Sequence, residues 1–214
     1  MKSFGLGQFL GYDLPPGRKG HIPSSKFYDH YYPNGGWRSS TIISNSIGQG
    51  EVLMTPIQLA NMMAIVANKG WYYTPHVIKK IKNHKIDSKY TTKHTTSVES
   101  RHFEPVIDGL FDVYNLGTAA GLGVQGLEIC GKTGTAQNPQ GEDHSIFIAF
   151  APLDKPKIAI AVFIENAGFG GTWAAPTASL MMEKYMKGKI TDKEKETRIL
   201  TANLLNVKAK PKEK

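Results

Sequence analysis

Residues 131–140 read GKTGTAQNPQ and follow directly on the apolar run GLEIC, 126–130. The apolar lead-in and the turn residues of NPQ and the following glycine bracket a strand. A strand here carries a cation, a hydroxyl, a missing side chain and a second hydroxyl in that order. Lys132 places a point charge beside whatever binds. Thr133 and Thr135 are two residues apart, so they share one face and can hydrogen-bond one carboxylate. Gly134 between them lets an extended backbone lie close alongside. The Thr135 amide can then donate to an oxyanion. The pattern suits a strand edge that pairs with a peptide ending in a carboxylate. A glycine in a strand can also mark only a bulge, and KTG alone occurs by chance.

The neighbouring sequence extends the strand into a sheet. LEICGKTGTAQ, HSIFIAFAP and PKIAIAVFIEN are separated by NPQGED and LDK, links short enough for an antiparallel meander. A final helix is expected from Pro176 to Met186, with Ala178, Met181, Met182 and Tyr185 on one face. Upstream, TPIQLANMMAIVANKG has Thr55 as N-cap, Pro56 at the first helical position and Gly70 as left-handed C-cap. Its apolar content predicts a largely buried helix. YYTPHVIKKIK reads as a short strand, residues 83–100 as an exposed polar hairpin or loop, and 103–115 as an amphipathic helix. Residues 1–50, rich in Gly, Pro, Ser and Tyr, read as long irregular chain lying against something else. The elements make an α+β fold.

The chain has 214 residues and a formal net charge of +8. From Lys184 onward there are ten Lys or Arg against four Asp or Glu, and before it 16 against 14. The basicity is therefore mostly a property of the C-terminal tail, 188–214, read as solvated and flexible or, as the sharper alternative, attracted to anionic lipid or polymer; no nucleic-acid partner is expected. The single cysteine, Cys130, is expected to be buried. No apolar run is long enough to span a membrane. His21, His30, His76, His84, His94, His102 and His144 lack metal-ligand spacing, so no metal site is expected. Tyr28, Tyr31, Tyr32 and Trp37 form an aromatic cluster that serves loop packing or, less simply, a glycan platform.

CGKTGTAQ, HSIFIAFAP and KIAIAVFIEN resemble the C-terminal half of penicillin-binding transpeptidase domains, which share their fold with serine β-lactamases. FGLGQFLGYDLP, ISNSIGQGEVLMTPIQLANMMAIVANKG and GTAAG match the same family in the same order. The wording is most similar to the elongation-type branch, penicillin-binding protein 2, with the division-specific branch as near alternative. The resemblance covers about residues 1–187. It implies an incomplete fold with three C-terminal sheet strands, at 124–166, covered by a helix at 171–187. The last strand is then left as an apolar edge, and the isolated chain is marginally stable.

The family chemistry uses serine-x-x-lysine and serine-x-asparagine motifs as well as lysine-threonine-glycine. No lysine here has Ser or Thr three positions before it, and Thr201-Ala202-Asn203 lies on the wrong side of the third motif. The resemblance therefore implies a chain that supplies the substrate-binding strand without the nucleophile, inactive on its own and paired with a missing N-terminal half. It implies Lys132 as the polarising cation, Thr133 and Thr135 on the substrate carboxylate, Gly134 beside the peptide, and the Thr135 amide in the oxyanion hole. Gln137 lines the cleft. It further implies peptidoglycan stem peptides ending in D-Ala-D-Ala and β-lactam antibiotics as ligands, no cofactor, and a membrane glycan polymerase as partner. The place is the periplasmic face of the inner membrane. Gly170-Gly171 is similar to an anion-binding helix start, but the family has a turn there. The alternatives are an inactive binding or scaffold remnant and a β-lactamase relative.

Overall fold

The computed structural model describes residues 1–204 apart from 16 and 118. Its elements run α1 (Ser25–Tyr31), α2 (Ser39–Ser46), α3 (Pro56–Ala67), β1 (Trp71–Tyr73), β2 (Lys93–Thr95) and α4 (Glu104–Asn115). They continue β3 (Cys130–Ala136), β4 (His144–Ala151), β5 (Ile158–Ile164), α5 (Ala174–Lys187) and α6 (Lys193–Thr201). The expected meander is present: β3, β4 and β5 form an antiparallel sheet in that order.

Residues alternate across this sheet, and each face has its own cover. Phe147, Ala149 and Ala151 face α5 and pack with Ala174, Ala175, Ala178 and Met182. Phe150 and Cys130 face the other way and pack with Met63, Ile65 and Val66 of α3 and with Phe103 and Ile107. Register carries this alternation into β3: Thr133 pairs with Phe147 and Thr135 with Ser145, whereas Lys132 pairs with Ile148 and Gly134 with Ile146. Among the described residues, no strand pairs with the far side of β5.

α3 begins as its sequence dictates. Thr55 and Gln58 form a reciprocal capping box with proline at the helix start. Every residue of α3 beyond Pro56 is at least half-buried. Gln58 is only 1% exposed. Its Nε2 lies 3.2, 3.1 and 3.0 Å from the carbonyls of Gly5, Gln8 and Lys19. These bonds say what residues 5–19 lie against; the rest of the stretch expected to be irregular, 1–50, is corrected by α1 and α2, which lie within it. Gly20 has φ 62°, and a Cβ there would press on Leu53 O and Gln58 Oε1.

Several local expectations are corrected. The left-handed step after α3 begins at Lys69, φ 56°, with Gly70 following at φ 111°. β1 stops at Tyr73, before Pro75; the amides of Val77 and Ile78 instead donate to the Asp13 carboxylate. Within the stretch expected as a polar hairpin or loop, Lys93–Thr95 forms a strand that pairs antiparallel with β1. On α5, Met181 and Tyr185 are 54% and 64% exposed, so they leave the face shared by Ala178 and Met182. Part of the segment expected as a flexible tail is α6, capped by Asp192 and tied back by Arg198 to Thr172 O at 3.2 Å. The remainder, 205–214, lies outside the described residues.

Candidate functional site

β3 is an edge strand, and two bonds show which of its groups face outward. The Thr135 carbonyl accepts from Gln49 Nε2 at 3.1 Å, and the Thr133 carbonyl accepts from Lys132 Nζ at 2.8 Å. In an antiparallel ladder the N–H and C=O of one residue point to the same side. Thr133 and Thr135 therefore turn their backbone groups to the outer edge, the Thr135 amide included, while Gly134 turns toward β4. Beside that edge lies a groove of about 490 Å³ lined by Lys132, Thr133, Gly134, Thr135 and residues 169–172. Its lining holds one cation and no carboxylate, which favours an anionic ligand. Lys132 is exposed and the next three residues are half-buried. Four of the five expected site residues thus come together. Gln137 does not: it is exposed beyond the end of β3 and is not among the lining residues.

The glycines of β3 have different causes. A Cβ on Gly131 would lie 2.5 Å from Phe147 Cζ and 2.9 Å from the Ile148 carbonyl oxygen. That glycine is demanded by the core. A Cβ on Gly134 would meet only Ile146, at 3.4 and 3.8 Å, which is ordinary contact. Among the described residues, nothing requires Gly134 to lack a side chain.

The opposite wall is held by Gly170, noted in the sequence only as part of a turn, and by Ser145, which the sequence did not single out. Gly170 sits over the Gly134–Ile146 pair so closely that a Cβ would collide with Ile146 O and Gly134 O. Ser145 is fully buried; its Oγ donates to Phe169 O at 3.0 Å and accepts from Ala174 N at 3.1 Å. This hydroxyl ties the middle of the loop between β5 and α5 to the first residue of α5. Of the aromatic cluster, Tyr28 is 4% exposed and stacks on Trp37 at 5.6 Å, whereas Tyr31 and Tyr32 are 63% and 44% exposed. Burial, then the hydrogen bond to Glu51, raises the Tyr28 pKa. Cys130 is buried as expected, and burial followed by the charges of Glu128 and Asp108 pushes its thiol up to about 12.

Comparison with known proteins decides what this arrangement belongs to. The penicillin binding protein transpeptidase domain family matches residues 1–183. The chain belongs to that family. A transpeptidase-family relative, the peptidoglycan D,D-transpeptidase MrdA of Acinetobacter baumannii, is 35% identical over 192 residues, which are 81% of this chain and 28% of that protein. A solved Pseudomonas aeruginosa PBP2 in complex with WCK 5153 superposes with TM-score 0.76 and 31% identity, covering 90% of this chain and 43% of that one. A peptidoglycan synthase complex that coordinates polymerization and crosslinking contains a chain matching at TM-score 0.76 and 29% identity, with 88% and 32% covered. These likenesses mark a PBP2-type transpeptidase domain, of which the chain spans less than half the length of each relative.

Proposed function

We propose that this chain forms the carboxylate-binding side of a serine-type peptidoglycan D,D-transpeptidase and that the nucleophile lies outside these 214 residues. The observation that carries the reading is the outward-facing edge of β3, whose residues Lys132 to Thr135 also line one groove with a single cation and no carboxylate. A stem peptide ending in D-Ala-D-Ala adds to β3 as an antiparallel strand. Thr133 and Thr135 hold its terminal carboxylate, Lys132 polarises the site, and the Thr135 amide is one donor of the oxyanion hole. The serine hydroxyl, brought by other polypeptide, attacks the carbonyl between the two D-alanines; its proton passes to the leaving D-alanine amine, and an ester-linked acyl-enzyme remains. The amine of a second stem then displaces the serine and forms the cross-link. β-Lactams use the same contacts.

The similarity to MrdA and to the synthase complex extends this reading to the bacterial cell envelope, at the periplasmic face of the inner membrane, with a glycan polymerase as partner. Intact mass after incubation with a fluorescent penicillin tests the division of labour. The 214-residue chain is expected to gain no covalent adduct, and a chain extended by upstream polypeptide carrying serine-x-x-lysine is expected to gain one. A stable adduct on the shorter chain would overturn the placement of the nucleophile.

A further inference from the structure

The Thr135 carbonyl is the acceptor that a strand adding to β3 would use, and it is already occupied. Its partner, Gln49, lies 86 residues away in sequence. The turn that carries Gln49 is built to hold it there. Gly48 and Gly50 on either side have φ 78° and 67°, in the left-handed region that other side chains disfavour. The Gln49 amide donates to Ser44 O at 3.0 Å and the Gly48 amide to Asn45 O at 3.0 Å, closing the turn onto α2. A Cβ on Gly50 would be 3.1 Å from Asn45 Oδ1. Beyond the turn, Glu51 accepts from Tyr28 Oη at 2.6 Å, and Tyr28 Oη accepts from Asn45 Nδ2 at 2.7 Å. Helices α1 and α2 thus brace the loop from behind, while the half-buried Gln49 carboxamide reaches forward to β3.

We infer that Gln49 is a specificity-determining latch: its carboxamide N–H stands in for the backbone N–H of the incoming peptide at the Thr135 carbonyl, and binding exchanges one for the other. The inference rests on the transpeptidase reading above and adds a residue to it. A ligand that brings an N–H to this position replaces the lost bond. A ligand without one must leave Gln49 in place or strip Thr135 of its partner. Gln49 therefore selects for a free amide one peptide unit before the scissile bond, and it weakens every correct ligand by the bond that must be given up.

The test is a chemical-shift titration of the chain with N-acetyl-D-alanyl-D-alanine and with the same dipeptide methylated on its acetamide nitrogen. Gln49→Ala removes the latch, and Gln49→Met removes the donor while keeping the length of the side chain. Both are expected to bind the unmethylated dipeptide about 2- to 10-fold more tightly than the parent, the equivalent of one net hydrogen bond. The methylated dipeptide is expected to bind less well and to show no such gain. Equal affinity of all three proteins for the unmethylated dipeptide, or weaker binding by folded variants, overturns the latch and leaves the proposed function standing. An equal gain with the methylated dipeptide also overturns it, because no amide exchange is then involved. Binding of neither dipeptide to any of the three overturns the latch and the substrate reading together.

Discussion

Substituting each of the two inner β3 glycines by alanine separates a glycine required by packing from one available to a ligand. At position 131 the new methyl would sit 2.5 Å from Phe147 Cζ, 2.9 Å from Ala149 Cβ and 2.9 Å from Ile148 O. Carbon atoms in good contact lie about 3.5–4.0 Å apart. Phe147 cannot swing clear, since it is fully buried and its ring meets Tyr114 edge-on at 5.8 Å. Overpacking of this kind costs about 1–3 kcal/mol. The restricted unfolded chain returns roughly 0.4–1 kcal/mol. Gly131→Ala is therefore expected to lose about 1–2 kcal/mol. At position 134 the methyl meets Ile146 at 3.4 Å and nothing closer, so only the unfolded-state gain remains. Gly134→Ala is expected to be neutral or stabilised by up to about 1 kcal/mol. Urea denaturation followed by tryptophan fluorescence reads both. With a slope of about 1–3 kcal/mol per molar, Gly131→Ala moves the midpoint down by roughly 0.3–2 M. The same Gly134→Ala protein is expected to bind N-acetyl-D-alanyl-D-alanine more weakly. The reasoning fails if the two substitutions destabilise equally, or if Gly134→Ala binds as the parent does.

Two further outcomes follow from buried groups. Because burial raises the Cys130 pKa from 9.0 to about 12, the folded state favours the thiol, and this contribution is complete below pH 9 and lost as pH rises from 9 toward 12. Alkylation by iodoacetamide at pH 8 is expected to track urea unfolding, and fast labelling of the folded chain would contradict the burial. Glu183 has the opposite sign. Burial alone would raise its pKa, but the Thr191 hydroxyl and amide, with Lys187, outweigh it and hold the carboxyl below 4.5. Its stabilisation is present above the ordinary glutamate range and lost as pH falls through the lowered value. Glu183→Gln is expected to flatten the acid side of the stability profile; an unchanged slope in urea midpoints below pH 4.5 would refute the assignment.

What was legible in the sequence had a local physical cause. The meander announced itself through alternating apolar residues and short polar links, and α3 through Thr55 and Pro56. The misplaced details depend on partners far along the chain. Met181 and Tyr185 are apolar at helical spacing, yet nothing nearby says that of the four expected residues only Ala178 and Met182 meet the sheet, beside Ala174 and Ala175. Lys93, His94 and Thr95 carry no strand pattern; they become β2 because β1 offers an edge and Lys93 Nζ rests 4.4 Å over Trp71. α6 looked like a charge run, but Arg198 lies 5.1 Å over the Trp173 ring and holds it down. In the site, Lys132 to Thr135 could be read from residue type and spacing. Gln49 could not, because GQG signals a turn without saying what the turn touches. Gly170 was visible only as a glycine pair.

The carboxamide of Gln58 has a consequence for how the molecule comes apart. Three carbonyls spread over residues 5–19 converge on one nitrogen inside the body of the protein. The leading arm has little regular pairing of its own, so this amide acts as the knot that keeps a loose thread from unravelling. Undoing it removes ties at three points of the arm at once, leaving Leu10 in the core and Asp13 on the Val77 and Ile78 amides to hold what remains.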